Sequence, residues 1–306
     1  MIHFYRKVQK MTVSHTIPCF NLKQIAESGQ CFRMNPLPPE VLPKGADYGY
    51  HIISYGRILY VWQKKMEVFF DCDEMDTAFW LHYFDIDTDY QAIINSISPK
   101  DSYLTAASQA GSGIRILRQD PWEMIITFVI SQQKTIPKIK ELVEALCSAY
   151  GQPLPHDGAL SAFPSPQELS RASLEDLQSL KLGYRAKYIH KLCQDAVSGT
   201  LDLDKLSYMN YEESMEYLTG FYGIGKKVAN CVCLFGLHHI SAFPVDTWIE
   251  KILIAQYYDK QKYRHIPKAS LYDKIIKDSF GQYGGCAGIM QQYIFYYERL
   301  QNSKIS

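Results

Sequence analysis

The sequence predicts an α+β fold in which an N-terminal antiparallel β-sheet domain with helices precedes a mainly α-helical region. Two observations carry this prediction. Before about residue 115, short apolar runs are broken by turn residues, as is typical of strands. After it, helix-capping signals and longer amphipathic segments dominate. We therefore expect a sheet domain over residues 1–115 and a helical region over residues 116–306.

The sheet prediction depends on a hairpin and its neighbours. Residues 50–54 and 57–62 are apolar runs that flank Tyr55 and Gly56, a pair typical of a tight β-turn. Residues 68–70 are expected to add a third strand. The segment 76–97 that follows is predicted to be helical.

The helical prediction begins at Asp120, which is expected to cap a helix with Pro121 in its first turn and Glu123 at its third position. Residues 124–130 are apolar almost all round, as expected of a central buried helix. Further helical signals lie at 137–147, at a capping box over 165–168, beyond a helix stop at Gly183, and from there to about residue 300.

Composition narrows the class of protein. The 306 residues carry 32 basic and 32 acidic side chains, so a globally basic surface is excluded, although a local basic patch suffices to bind phosphates. None of the eight cysteines forms a CxxC pair, which argues against a zinc ribbon and an iron–sulfur cluster. We expect no metal and no cofactor. With no signal-peptide core and no membrane-spanning run in the sequence, an intracellular protein is expected, in the cytoplasm or nucleoid if it is bacterial.

The most informative segment is a glycine hairpin followed by two lysines. Gly223 and Gly225 flank Ile224, and an apolar helix begins at Lys226 and Lys227. Glycines permit a tight turn, and the free N–H groups of a helix start can bind a phosphate. By itself the pattern also fits an ordinary connection between two helices, with both lysines merely solvated.

A second segment, residues 241–248, contains Pro244 and Asp246 just before another predicted helix. Asp246 suits the N-cap of that helix, and for an isolated aspartate capping would be a sufficient explanation.

Together, these two segments resemble the helix–hairpin–helix DNA glycosylase superfamily. In its members with lyase activity, a lysine stands two residues beyond the second hairpin glycine, and an aspartate follows a short Pro-Val segment. Those positions here are Lys227 and Asp246. Four further segments match 8-oxoguanine DNA glycosylases in family order. They are residues 28–33, 113–121 and 182–188, and the pair Gln291 and Phe295.

The resemblance implies a set of base-binding residues. The backbone carbonyl of Gly29 would accept a hydrogen bond from N7–H of 8-oxoguanine, which unmodified guanine lacks. Gln291 would bind the Watson–Crick edge of the extruded base. Phe295 would stack on one face of that base, and Cys231 would lie against the other.

The resemblance also implies DNA contacts outside the base pocket. Tyr184 would wedge into the duplex, and Arg185 would contact the orphaned cytosine. Four positions depart from the family's usual residue. They are Gln133 for an asparagine that fills the vacated space, Lys138 for an arginine at the cytosine, Trp248 for a histidine at the phosphate backbone, and Tyr222 for a proline before the hairpin. Lysine lacks the bidentate fork of arginine, so Lys138 predicts looser discrimination of the opposite base.

The implied fold is a β-sheet domain followed by a helix–hairpin–helix glycosylase core. The implied activity is that of a DNA glycosylase and AP lyase, with Lys227 as nucleophile and Asp246 stabilising charge on the sugar. The expected partner is double-stranded DNA containing 8-oxoguanine, opposite cytosine, bound by a monomer that does not associate with membranes. Two alternatives stay open: a non-catalytic helix–hairpin–helix DNA-binding protein, and a glycosylase for another damaged base.

Overall fold

The structure, a computed structural model, describes residues 10–154 and 157–303. Its N-terminal part is an antiparallel five-stranded sheet in the order β1-β5-β4-β3-β2. The strands are β1 Lys10–Thr16, β2 Met34–Pro36, β3 Tyr48–Ser54, β4 Arg57–Lys64 and β5 Glu67–Asp73. The predicted sheet and its three expected strands are confirmed, and β1 and β2 extend it at either edge.

The predicted hairpin joins β3 to β4. Ser54 pairs with Arg57, and the two residues between them, Tyr55 and Gly56, have φ angles of 50° and 70°. Two consecutive left-handed residues form the mirror-image turn that matches the twist of paired strands. A glycine in the second position removes the steric penalty there.

The rest of the fold is helical. The helices up to the hairpin region are α1 Leu22–Glu27, α2 Thr77–Tyr83, α3 Tyr90–Asn95, α4 Ser102–Ala110, α5 Pro121–Ser131, α6 Ile136–Tyr150, α7 Pro166–Leu169, α8 Leu174–Ser179, α9 Arg185–Val197 and α10 Leu203–Ser207. They are followed by α11 Tyr211–Thr219, α12 Lys226–Phe235, α13 Thr247–Ile252, α14 Lys260–Tyr263, α15 Lys268–Phe280 and α16 Ala287–Ser303. A π-helical turn, Leu253–Tyr257, extends α13. Two short strands, β6 Pro153–Leu154 and β7 Asp157–Ser161, pair after α6.

The single helix predicted over 76–97 is wrong, because the chain leaves the helix between α2 and α3. Asp85 lies in this break with a φ of 53° and is almost fully buried. Its carboxylate accepts hydrogen bonds from Arg118 (2.8 Å) and the Tyr90 hydroxyl (3.1 Å). A buried carboxylate needs such partners, and the kink provides them.

Helix starts follow their capping residues. The Asp120 side chain accepts from the backbone N–H groups of Trp122 (2.8 Å) and Glu123 (3.2 Å), and Pro121 occupies the first turn. Ser165 and Glu168 form the predicted reciprocal capping box of α7. These side chains satisfy N–H groups that a helix cannot pair internally.

Within the described ranges, the buried apolar residues form two hydrophobic cores. One lies on the sheet and includes Ile52, Phe70 and Trp80; the other joins the helices around α5, whose residues 122–130 are all buried. Helices α3 and α4 pack into the helical core, whereas Leu117 packs into the sheet core. Some residues before 115 thus pack into the helical core, and Leu117, after 115, packs into the sheet core. The domain boundary between residues 115 and 116 stays a prediction.

Among the described residues, no helix is both long enough and apolar enough to cross a bilayer.

Candidate active site

The glycine hairpin joins α11 to α12 as predicted. Gly223 has a φ of 93°, and a Cβ atom there would lie 2.4 Å from Cγ of Tyr188, so both conformation and space require glycine. Ile224 is buried and anchors the hairpin in the core. Gly225 is the N-cap of α12, and a Cβ atom there would meet nothing within 4 Å. The protein's own packing therefore leaves the approach to the start of α12 open.

Lys227 lies on the first turn of α12 with its side chain directed toward α5. Its Nζ is 3.5 Å from Oγ of Ser131 and 5.2 Å from the centroid of the Phe128 ring. The Ser131 hydroxyl donates to the backbone carbonyl of Phe128 (2.8 Å), so its oxygen is available to accept from Lys227. Lys226 instead pairs with the Asp273 carboxylate on α15, so the two adjacent lysines have different surroundings.

Asp246 is the N-cap of α13, and both cap bonds use one oxygen. Its Oδ1 accepts from the backbone N–H groups of Trp248 (3.0 Å) and Ile249 (2.9 Å). Asp246 also lines the pocket that contains Lys227. Capping and a role in that pocket are therefore compatible, because the cap fixes the carboxylate while Oδ2 makes neither cap bond.

A single pocket brings together all six residues predicted to act on the base or the sugar. We call it the lysine pocket. Its lining consists of Ser28, Gly29, Phe128, Lys227, Cys231, Phe235, Pro244, Asp246, Gln291, Gln292 and Phe295. These residues come from the loop after α1 and from α5, α12, the segment before α13, and α16. The pocket therefore exists only because the N-terminal part and the helical core pack together.

Gly29 lies in the lysine pocket in a conformation that favours glycine. Its φ is 80°, and a Cβ atom there would lie 3.0 Å from Cε1 of Phe295. The adjacent Gln30 is fully buried and fixes the loop: its amide donates to the Arg115 carbonyl (2.9 Å) and accepts from the Leu117 N–H (2.8 Å). The hydrogen bonds of Gln30 thus help to hold the Gly29 backbone in place.

Gln291 and Phe295 are four residues apart on α16 and share the face that lines the lysine pocket. Gln291 is 3% exposed, and its Oε1 accepts a hydrogen bond of 2.8 Å from Nε2 of Gln292. The Phe295 ring lies 6.3 Å from the Trp248 ring, centroid to centroid. Trp248 is thus close to the pocket and partly exposed beside it.

Cys231 lies one turn after Lys227 on the same face of α12. Burial raises the pKa of its thiol, although Lys227 nearby opposes the shift. The side chain is therefore a neutral thiol at ordinary pH, suited to packing rather than to nucleophilic attack.

The turn between α5 and α6 contains Gln133, which is exposed with a φ of 54°. Its neighbour Gln132 donates through Nε2 to the Gly223 carbonyl (3.0 Å) and accepts from Arg185 at its own carbonyl. Arg185 also donates to the Leu182 carbonyl (3.2 Å) and is buried. Gln132 and Arg185 therefore fix the turn against both the hairpin and the start of α9.

Two other predicted DNA-binding residues lie on the surface. Tyr184 is 43% exposed, with the Arg185 guanidinium 4.4 Å above its ring centroid. Lys138 lies on the first turn of α6, where its Nζ pairs with the Glu141 carboxylate at 2.5 Å. Lys138 is therefore engaged by its own helix in this structure.

The structure adds pocket residues to which the sequence interpretation gave no role, namely Ser28, Phe128, Phe235, Pro244 and Gln292, and it places Ser131 beside Lys227. Gln292 could have been identified from the sequence, because a second glutamine next to Gln291 in an apolar helix can form a hydrogen bond with it. Phe128 and Phe235 could not have been, because apolar residues of buried helices look alike in sequence. Over the ranges 10–154 and 157–303, no group of three histidine, cysteine or acidic side chains could hold a metal ion.

Two family models cover most of the chain. The 8-oxoguanine DNA glycosylase N-terminal domain matches residues 12–125, and the HhH-GPD superfamily of base excision DNA repair proteins, named for its helix–hairpin–helix, matches residues 126–271. Among curated proteins, the N-glycosylase/DNA lyase of Saccharomyces cerevisiae is 34% identical over 212 residues, which is 64% of this chain and 56% of that protein. The chain thus matches little more than half the length of that relative. A probable N-glycosylase/DNA lyase of Methanothermobacter thermautotrophicus is 28% identical over 71% of this chain and 73% of its own length.

Solved structures extend the likeness to nearly the whole chain. The 8-oxoguanine glycosylase/lyase of Clostridium acetobutylicum, in complex with double-stranded DNA containing cytosine opposite 8-oxoguanine, superposes with a TM-score of 0.84. Its sequence is 32% identical, and the match covers 96% of this chain and 98% of that one. Both halves of the fold and their order are shared. The chain therefore belongs to the 8-oxoguanine DNA glycosylase/AP lyase family of the HhH-GPD superfamily.

Proposed function

We propose that this protein is a bifunctional DNA glycosylase that extrudes 8-oxoguanine from duplex DNA, excises it, and cleaves the strand by β-elimination. The observation that carries the proposal is the lysine pocket, in which Lys227 and Asp246 lie with Gly29, Cys231, Gln291 and Phe295. A nucleophile, a carboxylate and apolar side chains thus meet at one place. A scaffold that only binds phosphates would need the hairpin but not this pocket.

Base recognition follows from the pocket's chemistry. The backbone carbonyl of Gly29 is a fixed acceptor, and it favours 8-oxoguanine, whose N7 carries a hydrogen, over guanine, whose N7 carries a lone pair. Gln291 supplies an amide donor and acceptor for the Watson–Crick edge. Phe295 and the neutral Cys231 thiol provide apolar contacts for the two base faces.

The chemistry uses Lys227 as the nucleophile. Its deprotonated amine attacks C1′ of the deoxyribose, the bond from C1′ to the base nitrogen breaks, and the base leaves with the electron pair and takes up a proton. Asp246 stabilises the positive charge that develops on the sugar, and its cap bonds hold the carboxylate in position. Loss of a proton from nitrogen and opening of the sugar ring give a Schiff base between Lys227 and C1′. Removal of a proton at C2′ then expels the 3′ phosphate, which cleaves the strand.

DNA is held outside the pocket by a second group of residues. We propose that the backbone N–H groups at the start of α12, after Gly223 and Gly225, bind a DNA phosphate. Trp248 would lie along the DNA backbone, and Tyr184 would wedge into the duplex. Arg185, Gln133 and Lys138 would face the vacated position and the orphaned base. The partner is then duplex DNA with 8-oxoguanine opposite cytosine, bound inside the cell by a monomer.

Borohydride trapping tests the proposal. With a labelled duplex containing 8-oxoguanine, reduction of the Schiff base links protein to DNA, and we expect a covalent complex with the unaltered protein. Lys227→Gln should abolish trapping and base release. Lys226→Gln is the matched control, since it alters the neighbouring lysine that pairs with Asp273, and it should trap normally. If the unaltered protein binds the duplex but leaves the base intact, it is a non-catalytic DNA-binding protein. If it releases only a different damaged base, it is a glycosylase for that base.

A further inference from the structure

Three tyrosine rings form a continuous row across the surface that holds the hairpin. The Tyr184 and Tyr188 rings meet edge-on with centroids 5.6 Å apart, and the Tyr188 and Tyr222 rings meet edge-on at 4.8 Å. We call Tyr184, Tyr188 and Tyr222 the tyrosine row. It starts at the proposed wedge, Tyr184, which is the N-cap of α9, and ends beside Gly223 on the hairpin.

The middle ring is fixed from several sides. Tyr188 is half-buried and touches both other rings, and the space for its Cβ and Cγ exists because residue 223 is glycine. The hairpin is in turn held by the bond from Gln132 to the Gly223 carbonyl, and Gln132 is held by Arg185. The Arg185 guanidinium also lies over the Tyr184 ring. These contacts therefore connect the hairpin, the turn after α5 and the tyrosine row. The three rings thus pack against one another and are not independent side chains.

The terminal ring is left without cover. Tyr222 is 57% exposed although its neighbour Ile224 is buried, so the hairpin directs one apolar side chain inward and one aromatic side chain outward. The two centroid distances limit its separation from Tyr184 to about 10 Å, or roughly three base-pair steps of 3.4 Å. A duplex that Tyr184 enters and that the start of α12 binds must therefore pass Tyr222.

We propose that Tyr222 is a DNA-contacting residue whose ring packs against the sugar–phosphate backbone next to the hairpin phosphate, and that Tyr188 is the positioning residue that holds it there. The inference rests on the proposed function for its ligand. An aromatic ring packs on a deoxyribose and loses little conformational entropy in doing so, because it has only two side-chain torsions. Pre-organisation by Tyr188 reduces that cost further.

The experiment measures the dissociation constant for a duplex with an uncleavable abasic-site analogue, at fixed salt concentration. Tyr222→Ala should raise Kd about tenfold, within the range of an aromatic contact to nucleic acid. Tyr222→Phe should stay within about twofold, because the ring and not the hydroxyl makes the contact. Tyr208→Ala is the matched control, since Tyr208 is a tyrosine that is 88% exposed at the end of α10, and it should bind as the unaltered protein does.

The positioning role is tested by combining variants. Tyr188→Leu should weaken binding about as much as Tyr222→Ala, and the double variant should be no weaker than either, since both disrupt one unit. The melting temperature of Tyr222→Ala should change little, because the ring is more than half exposed.

Two results would overturn the inference. If Tyr222→Ala binds as tightly as the unaltered protein, the ring does not contact DNA, and if Tyr222→Phe loses as much as Tyr222→Ala, the contact is not made by the ring. Additive effects in the double variant would remove the positioning role of Tyr188. Failure of the proposed function is separate, because it would appear as absence of base release by the unaltered protein while these Kd comparisons could still be made.

Discussion

The lysine pocket and the surface around the turn after α5 differ in how their predicted residues are held. In the lysine pocket, side chains sit on helices or next to capping bonds and face one cavity. Around the turn, Lys138 pairs with Glu141 at the surface and the buried Arg185 donates to two backbone carbonyls, so both are engaged with the protein itself. The predicted pocket residues therefore already line one cavity, whereas the groups proposed to read the opposite base are bonded to the protein itself and would exchange those partners for DNA. We expect changes in the pocket to have large effects and changes at the surface to have small ones.

The largest effect is expected from Asp246→Asn. The amide oxygen can still accept the two cap bonds, but the negative charge is lost, so the single-turnover rate of base release should fall at least a hundredfold, or about 2.7 kcal/mol. The melting temperature and Kd should change little. Asp259→Asn is the control, because Asp259 caps α14 with the same two-bond pattern away from the pocket. If Asp246→Asn excises normally, Asp246 is only a cap.

A smaller loss is expected from Gly29→Ala. A side chain at a φ of 80° costs about 1–2 kcal/mol, and the new methyl group must displace Phe295. We expect excision of 8-oxoguanine to slow roughly thirtyfold, or about 2 kcal/mol, measured as a single-turnover rate. Gly56→Ala imposes similar strain at a φ of 70° with nothing within 4 Å, so it should lower stability but not excision. Equal rates for the two variants would contradict a special role for the space at Gly29.

Helix α5, which lines the lysine pocket through Phe128, contains a buried acidic residue, Glu123. We therefore expect the stability of the protein to depend on pH. Burial raises the pKa of Glu123 on α5 to about 8, against an opposing effect of Arg33. The folded protein then keeps a proton that the unfolded chain loses near pH 4.5, so the free energy of unfolding falls as the pH rises from there to about 8. The contribution reaches about 1.4 kcal/mol per pH unit within that window and is constant above it.

Chemical denaturation between pH 5 and 9 measures this slope. Glu123→Gln should flatten it, because the amide does not ionise, whereas Glu175→Gln at an exposed position should leave it unchanged. An unaltered slope in Glu123→Gln would show that other groups cause the pH dependence.

The smallest effect is expected at the surface. Lys138→Arg supplies a bidentate fork at the proposed opposite-base position, so the preference for excision opposite cytosine over adenine should rise about threefold, less than 1 kcal/mol. Lys100→Arg, an exposed lysine on another part of the surface, is the control. If Lys138→Arg changes the preference for cytosine over adenine a hundredfold, the contact at the opposite base matters as much as the contacts in the pocket. The expected difference between pocket and surface would then be wrong.

Local sequence signals determined much of the fold. The Tyr55–Gly56 turn, the Asp120 cap and the capping box at Ser165 each form through neighbours in the chain, so their patterns predicted the elements correctly. The α+β class and the glycosylase family are confirmed. The single helix predicted over 76–97 is interrupted at Asp85, whose carboxylate binds Arg118 and His238, two residues that are distant in sequence and that no local pattern reveals.

For the site, the sequence by itself determined which residue types were available and in what order: the hairpin glycines, Lys227, Asp246 and the Gln291–Phe295 pair. Only the tertiary structure decided that Gly29 and Phe295 lie side by side, that Asp246 caps a helix and lines the pocket at once, and that Lys226 and Lys227 have different surroundings. The reason is physical. A capping bond or a turn is set by residues a few positions apart. A pocket between the loop after α1, α12 and α16 is instead set by the packing of surfaces that the chain brings together only when both cores form.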